Sequence, residues 1–159
     1  MPWSLPPDMK RFKEITSSLP DGANPGSFNV VIMGRKTWDS LPPKSKPLAG
    51  RINIVISSNA ELQLPAGTLL AADFESAVKQ ARQIPFHHQI FIIGGQSIYA
   101  AALASGQLDY ISTTRVDIFS RADTYVIYFI SCFSSYLHVL AGTCHASTLP
   151  CSPSASLLS

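Results

Sequence analysis

The chain has 159 residues, of which 46% are hydrophobic and 14% charged, and its formal net charge at pH 7 is +2. This length suits one domain around one core, and so mild a charge, without basic runs interleaved with aromatics, argues against a nucleic-acid-binding protein. Its three cysteines and four histidines show neither a disulfide framework nor the spacing of metal ligands, so a metal centre is not expected.

Hydrophobic periodicity predicts helices and strands in alternation. Helical spacing and good helix formers cover 7–16, 74–83 behind Asp73 as N-cap, and 97–104. Short β-branched runs bounded by turn residues predict strands at 28–33, 52–56, 90–93 and 110–116. Such alternation predicts an α/β fold with parallel crossovers, in which ligands bind at the carboxyl ends of the strands.

Charge divides the chain near Thr124. All 12 basic and 10 acidic residues lie in 1–123, whereas 124–159 has none. We therefore expect a domain over 1–124 and an uncharged tail over 125–159. The apolar stretch 125–141 is short for a membrane span and contains polar residues, so membrane insertion is not expected. Within it, 125–130 has high β propensity and is a candidate for an additional strand.

Two glycine motifs follow predicted strands. Gly34-Arg35-Lys36-Thr37 comes after the first strand, and Gly94-Gly95-Gln96-Ser97 joins a later strand to a helix. Glycine lets the backbone approach a phosphate, and a helix start offers N–H groups to an anion. Neither motif matches GxGxxG or the phosphate loop ending in GK[ST]. Each motif alone is equally compatible with an ordinary tight turn.

Asp8 is the third feature, on the first turn of the first predicted helix. An acid at this position can simply pair with the helix dipole or act as a cap. Its apolar neighbours Met9 and Phe12 favour a second interpretation, in which the carboxylate lies in a ligand pocket.

Four motifs in order resemble the dihydrofolate reductase family: Pro-Trp-x-Leu-Pro-x-Asp from Pro2, Val-Ile-Met-Gly-Arg-Lys-Thr-Trp-Asp-Ser from Val31, Pro-Leu-x-Gly-Arg-x-Asn-Ile-Val from Pro47, and Ile93-Gly94-Gly95. The resemblance covers about 2–124. It implies an α/β three-layer sandwich with a mixed central sheet. It also implies NADPH-dependent reduction of 7,8-dihydrofolate to 5,6,7,8-tetrahydrofolate. The cytoplasm is the expected location on separate grounds, since the N-terminus shows no basic region followed by an apolar stretch, as a secretory signal would.

The resemblance also implies roles for individual residues. Asp8 holds the pterin and promotes its protonation at N5, with Thr114 supporting Asp8 and Trp3 orienting a water. The other expected substrate contacts are Met9, Phe12, Leu41 and Leu48 as apolar walls and Arg51 for the glutamate carboxylate of folate. The expected NADPH contacts are Gly34, Arg35, Lys36, Thr37, Ser57, Ser58, Gly94, Gly95, Gln96 and Ser97, with a cis peptide bond between Gly94 and Gly95.

The sequence departs from the family at both ends. Met1 stands directly before the Pro-Trp motif, where the family has a central first strand and a mobile loop, and 125–159 shows no resemblance. We therefore expect an incomplete sheet, with the strands at 90–93 and 110–116 left as unpaired edges through which the chain could associate. The alternative function is a catalytically silent fragment that binds at most a nucleotide or a partner. A deaminase-linked reductase of riboflavin synthesis shares the fold, but Asp8 and the Pro-Trp motif favour folate.

Overall fold

The computed structural model describes residues 6–113 together with the backbone of 137–141. The helices in these ranges are α1 (Pro6–Ser17), α2 (Arg35–Ser40), α3 (Phe74–Gln83) and α4 (Gln96–Ala104), with a 3-10 turn at Pro43–Ser45. The strands are β1 (Phe28–Gly34), β2 (Arg51–Ile56), β3 (Thr68–Ala71), β4 (His87–Ile92), β5 (Tyr110–Thr113) and β6 (Leu137–Ala141).

These strands form one sheet in the order β3-β2-β1-β4-β6-β5. Strand β1 lies inside the sheet, pairs with β2 and β4, and is buried from Asn29 to Met33. Its nearly continuous apolar sequence is typical of a parallel strand that is covered on both faces. Every pairing among the described strands is parallel. The α/β class is therefore confirmed, and the mixed character expected of the sheet is not seen in this part of the chain.

Alternate residues of the strands feed two separate apolar layers, as the two-residue period of a strand requires. Val30 and Ile32 of β1 pack into the layer that contains α3 and α4. Val31 and Met33 point to the opposite face, where Phe12 of α1 and Trp38 of α2 contribute to the second layer. The three-layer arrangement predicted for the fold is confirmed in these residues.

Helix α3 shows most directly how the sequence sets an element boundary. Asp73 is its N-cap: the carboxylate accepts a 2.7 Å hydrogen bond from the Ser76 backbone N–H, while the Ser76 hydroxyl closes the reciprocal contact. The hydrogen bonds from Ser76 lower the pKa of Asp73 below its ordinary value. The apolar face then buries Phe74, Ala77, Val78 and Ala81 against the sheet. The predicted span of this helix is confirmed.

Strand β6 overturns one prediction. The edges of β4 and β5 were expected to be unpaired, but β6 lies between them and pairs with both. The physical reason is that backbone N–H and C=O groups beside a buried core must find partners, and a neighbouring strand satisfies a whole row of them. The strand at 125–130 that the β propensity favoured lies outside the described residues.

Among residues 6–113 and 137–141, no helix has the length and hydropathy to cross a bilayer. The same part of the chain contains no group of three or more His, Cys, Asp or Glu side chains placed to hold a metal ion.

Candidate active site

Three adjacent parallel strands end together and bring the glycine motifs to one edge of the sheet. The register pairs Gly34 at the end of β1 with Ile56 at the end of β2, and Ile32 with Ile92 at the end of β4. The residues that follow these ends therefore lie at the same carboxyl edge. They are the predicted cofactor contacts Arg35, Lys36 and Thr37 after β1, Ser57 and Ser58 after β2, and Gly94, Gly95, Gln96 and Ser97 after β4.

The two glycine motifs are in direct contact. The Gly34 N–H donates a 2.7 Å hydrogen bond to the Gly94 carbonyl. A Cβ atom on Gly94 would lie 2.9 Å from the Thr37 hydroxyl oxygen, and Gly94 has a φ of 134°, which favours glycine. The peptide bond between Gly94 and Gly95 is cis, as predicted. Thr37 and Gly94, far apart in sequence, therefore form one close-packed turn.

Helix α4 begins immediately after this turn, so its N-terminus lies at the same edge. Gly95 is the N-cap, and its carbonyl accepts hydrogen bonds from the N–H groups of Ile98 and Tyr99 at 3.0 and 2.9 Å. No side chain caps this helix. Gln96 and Ser97 are exposed in its first turn. A helix N-terminus with a glycine cap suits an anionic ligand group.

Cationic and hydroxyl groups lie at the same carboxyl edge of the sheet as the N-terminus of α4. Arg35 and Lys36 are exposed, and the Arg35 Nε lies 3.4 Å from a carboxylate oxygen of Asp39. Ser57 is buried and its hydroxyl accepts a hydrogen bond from the Asn59 N–H, whereas Ser58 is exposed. This donor set is chemically suited to phosphate groups.

The predicted substrate contacts lie mostly on the α1 face of the sheet. Phe12 and Leu41 are partly buried against a cluster that includes the buried Leu48, and Ile93 packs on the same cluster. Met9 is 50% exposed on the outer part of α1, so it adds little to this wall without a ligand. Three of the four predicted apolar contacts are therefore brought together.

Helix α1 presents Asp8, Phe12 and Thr16 at intervals of four residues, which places them along one face. Asp8 is half-buried. Thr16 is fully buried, and its hydroxyl donates to the Phe12 carbonyl at 2.7 Å while it accepts a 2.6 Å hydrogen bond from Arg51. The four-residue spacing from Asp8 could have identified Thr16, which the sequence analysis did not single out.

Arg51 is held from two sides at the start of β2. Its Nη1 donates to Thr16, its Nε donates to the Ala49 carbonyl at 3.1 Å, and its guanidinium lies 5.9 Å from the centre of the Phe12 ring. Partial burial lowers the pKa of Arg51, although an arginine remains charged at neutral pH. Arg51 therefore presents a fixed positive charge beside the apolar wall.

Asn53 is a second residue without a predicted role. It is 1% exposed, its side-chain amide donates to the carbonyls of Leu48 and Arg51, and its oxygen accepts from the Leu48 N–H at 3.0 Å. These three bonds fix the turn that carries Leu48 and Arg51. An amide inside a β-branched run was the available signal, because a buried polar side chain needs partners.

Tyr99 is a third. It lies on the first half of α4, and its hydroxyl is 3.6 Å from the position that a Cβ on Gly94 would take. Burial raises the pKa of Tyr99, so the phenol stays protonated at neutral pH. Tyr99 therefore backs the glycine turn as a neutral side chain. The predicted residues Trp3 and Thr114 lie outside the described residues.

Comparisons with known proteins agree with this geometry. The profile of the dihydrofolate reductase family matches residues 1–133. The chain is 39% identical to the dihydrofolate reductase of Pneumocystis carinii over 125 residues, covering 73% of this chain and 59% of that protein. It is 36% identical to the bifunctional dihydrofolate reductase-thymidylate synthase 2 of Arabidopsis thaliana over 131 residues, covering 79% of this chain and 23% of that protein.

Among solved structures, a dihydrofolate reductase of Schistosoma mansoni superimposes with a TM-score of 0.56 and 38% identity, covering 65% of this chain and 55% of that one. The chain thus spans little more than half of the single-function relatives, and less of the bifunctional one. The match of the family profile over most of the sequence, at residues that the fold brings to one edge, shows that the chain belongs to the dihydrofolate reductase family.

Proposed function

We propose that the chain catalyses the NADPH-dependent reduction of 7,8-dihydrofolate to 5,6,7,8-tetrahydrofolate. The observation that carries the proposal is the glycine turn, in which Gly94 packs on Thr37 at the carboxyl edge of the sheet. Ile93, directly before that turn, packs on the same cluster as Phe12 and Leu48. An edge suited to an anion and an apolar cluster therefore meet at the end of β4, and Asp8 lies one helical turn before Phe12 of that cluster.

The residues at the glycine turn fit a dinucleotide phosphate. Arg35 and Lys36 supply positive charge, Ser57 and Ser58 supply hydroxyls, and the first turn of α4 supplies backbone N–H groups for a pyrophosphate. When bound there, NADPH supplies the hydride. The role of the protein on this side is to hold the cofactor, and the close contact of Gly94 with Thr37 keeps the turn compact beneath it.

The α1 face fits the pterin and the tail of the substrate. The Asp8 carboxylate accepts hydrogen bonds from the pterin N3 and its 2-amino group and promotes protonation at N5. Phe12, Leu41 and Leu48 exclude water from the ring. Two of the five N–H donors of Arg51 bond Thr16 and Ala49, which orients the planar guanidinium to receive a carboxylate of the glutamate moiety.

The test is dihydrofolate-dependent oxidation of NADPH by the purified chain and by Asp8→Asn. The variant keeps the size of the side chain but removes its charge, so we expect turnover at neutral pH to fall by about 100-fold or more. NADPH affinity is expected to stay within about twofold, because the cofactor contacts lie elsewhere.

Glu14→Gln is the matched control, since Glu14 lies on the same helix and its carboxylate pairs with Lys10 at the surface. It should leave turnover unchanged. Equal turnover in Asp8→Asn and the unmodified chain would remove Asp8 from the mechanism. NADPH binding without any dihydrofolate-dependent turnover would instead support the catalytically silent alternative.

A further inference from the structure

The tail residues Leu137–Ala141 form a strand in the interior of the sheet. The register pairs Leu137 with Ile90 and Val139 with Ile92 on one side. On the other side, His138 pairs with Tyr110 and Ala141 with Thr113. The uncharged tail therefore reaches back into the charged body of the chain.

The strand is the only neighbour of β5 in the described part of the sheet. Without it, the backbone groups of Tyr110–Thr113 would have no ladder partner there, and β4 would lose its partner on the side away from β1. The chain between β5 and β6 is also long enough for the two strands to run parallel. Residues 114–136 connect the carboxyl end of β5 to the start of β6, and a parallel connection needs a dozen or more residues.

The position of β6 sets the geometry of the carboxyl edge. Because neighbouring strands lie about 4.8 Å apart, inserting one strand holds the ends of β4 and β5 roughly 10 Å apart rather than adjacent. Val139 is level with Ile92, the last residue of β4, and Leu140 and Ala141 extend beyond that level alongside Ser112 and Thr113 of β5. The end of β6 therefore lies between the glycine turn and Thr113, the residue before the predicted site residue Thr114.

We propose that Leu137–Ala141 is a positioning segment for the active site: it serves as the interior strand that fixes the carboxyl end of β5 at a set distance from Gly94. The ligand part of this inference rests on the proposed function, whereas the placement of the strand does not. The apolar run 125–130 is the competing tail segment. The pairing of both β4 and β5 with β6 favours Leu137–Ala141.

The experiment is amide hydrogen exchange on the full chain and on three variants. Val139→Pro removes one ladder N–H and introduces a ring that an interior strand does not accept. Val139→Ile is the matched control, because it keeps the N–H and a β-branched side chain. Ile127→Pro makes the same change in the competing segment.

In the unmodified chain, the amides of Leu137–Ala141 should exchange slowly, and so should the alternate amides within Tyr110–Thr113 that face β6. In Val139→Pro, both sets should exchange at least about tenfold faster, while Val30–Met33 in β1 keeps its protection from β2 and β4. Val139→Ile and Ile127→Pro should resemble the unmodified chain. Rapid exchange of Leu137–Ala141 in the unmodified chain, or accelerated exchange of Tyr110–Thr113 only in Ile127→Pro, would overturn the assignment even if Val139→Pro failed to fold.

A binding measurement separates this inference from the proposed function. If dihydrofolate binds the unmodified chain, Val139→Pro should weaken its affinity about tenfold or more, with a smaller change for NADPH. Unchanged dihydrofolate affinity in a variant that has lost protection of Tyr110–Thr113 would overturn the positioning role. Failure of the unmodified chain to bind dihydrofolate at all, with the expected exchange pattern, would contradict the proposed function and leave the placement of the strand supported.

Discussion

The two halves of the candidate site are built in different ways. The cofactor half is a backbone construction, in which Gly34 bonds Gly94 and Gly94 packs on Thr37. The substrate half is a side-chain construction, in which Thr16 and Asn53 orient Arg51 and Leu48. This difference indicates which kind of substitution should damage each half. The first half tolerates no added atom at Gly94, whereas the second depends on keeping buried hydrogen bonds complete.

The largest effect is expected for Gly94→Ala. The new Cβ would lie 2.9 Å from the Thr37 hydroxyl, at a φ that residues other than glycine rarely adopt. We expect the free energy of unfolding to fall by about 3 kcal/mol or more, measured by urea denaturation.

Gly95→Ala is the matched control for that change. A Cβ at this position meets only the Thr37 hydroxyl, at an ordinary 3.5 Å, and the backbone has no positive φ. Its stability should stay within about 1 kcal/mol of the unmodified chain. Equal destabilisation by the two variants would contradict the close-packed turn at Gly94.

Asn53→Ala tests the substrate half and should have an intermediate effect. It leaves the buried Leu48 N–H and two carbonyls without their partner, which costs about 2–4 kcal/mol of stability. Dihydrofolate affinity should weaken more than NADPH affinity, because the turn carries Leu48 and Arg51.

Asn59→Ala is the corresponding control at an exposed asparagine, whose side chain accepts only from the Glu61 N–H. It should change stability by no more than about 1 kcal/mol. If Asn53→Ala weakened both ligands equally, the separation of the site into two halves would be wrong.

Arg35→Ala should have the smallest effect on stability, since Arg35 is exposed and its contact with Asp39 spans one surface turn. This variant tests the cofactor half through its preference for NADPH over NADH. Affinity for NADPH should fall by about tenfold or more while affinity for NADH changes little, because only NADPH carries the 2′-phosphate.

Asp39→Asn serves as the control for that experiment, because it removes the partner of Arg35 and keeps the cation. Titration of both cofactors by intrinsic fluorescence supplies the measurement. A parallel loss of NADPH and NADH affinity in Arg35→Ala would show that the arginine is structural.

The local pattern of apolar residues was sufficient to predict the helices and strands that are long or strongly periodic. The β-branched runs predicted β1, β2 and β4 to within a few residues, and Asp73 marked the start of α3. Short elements were missed, since the six residues of α2 and the four of β3 are too few for a period to show. Strand β6 was missed for another reason: its placement depends on a gap between two distant strands.

The residues of the candidate site also fall into those that the sequence predicted and those that it did not. The ordered motifs identified the residues at the strand ends, and the fold brings them to one edge. The roles of Thr16 and Asn53 depend on partners far along the chain or across a turn, such as the 35-residue separation between Thr16 and Arg51. A single sequence does not reveal such pairs.

The hydrogen bond from Gly34 to Gly94 has a consequence for communication within the molecule. It joins the end of β1 to the loop after β4 without an intervening side chain, so a displacement of one relative to the other changes the length of that bond. Any ligand that shifts one loop must lengthen or shorten that bond. The amide of Gly34 is thus a built-in spectroscopic reporter, sensitive to occupancy at Gly94 although it lies on a different strand.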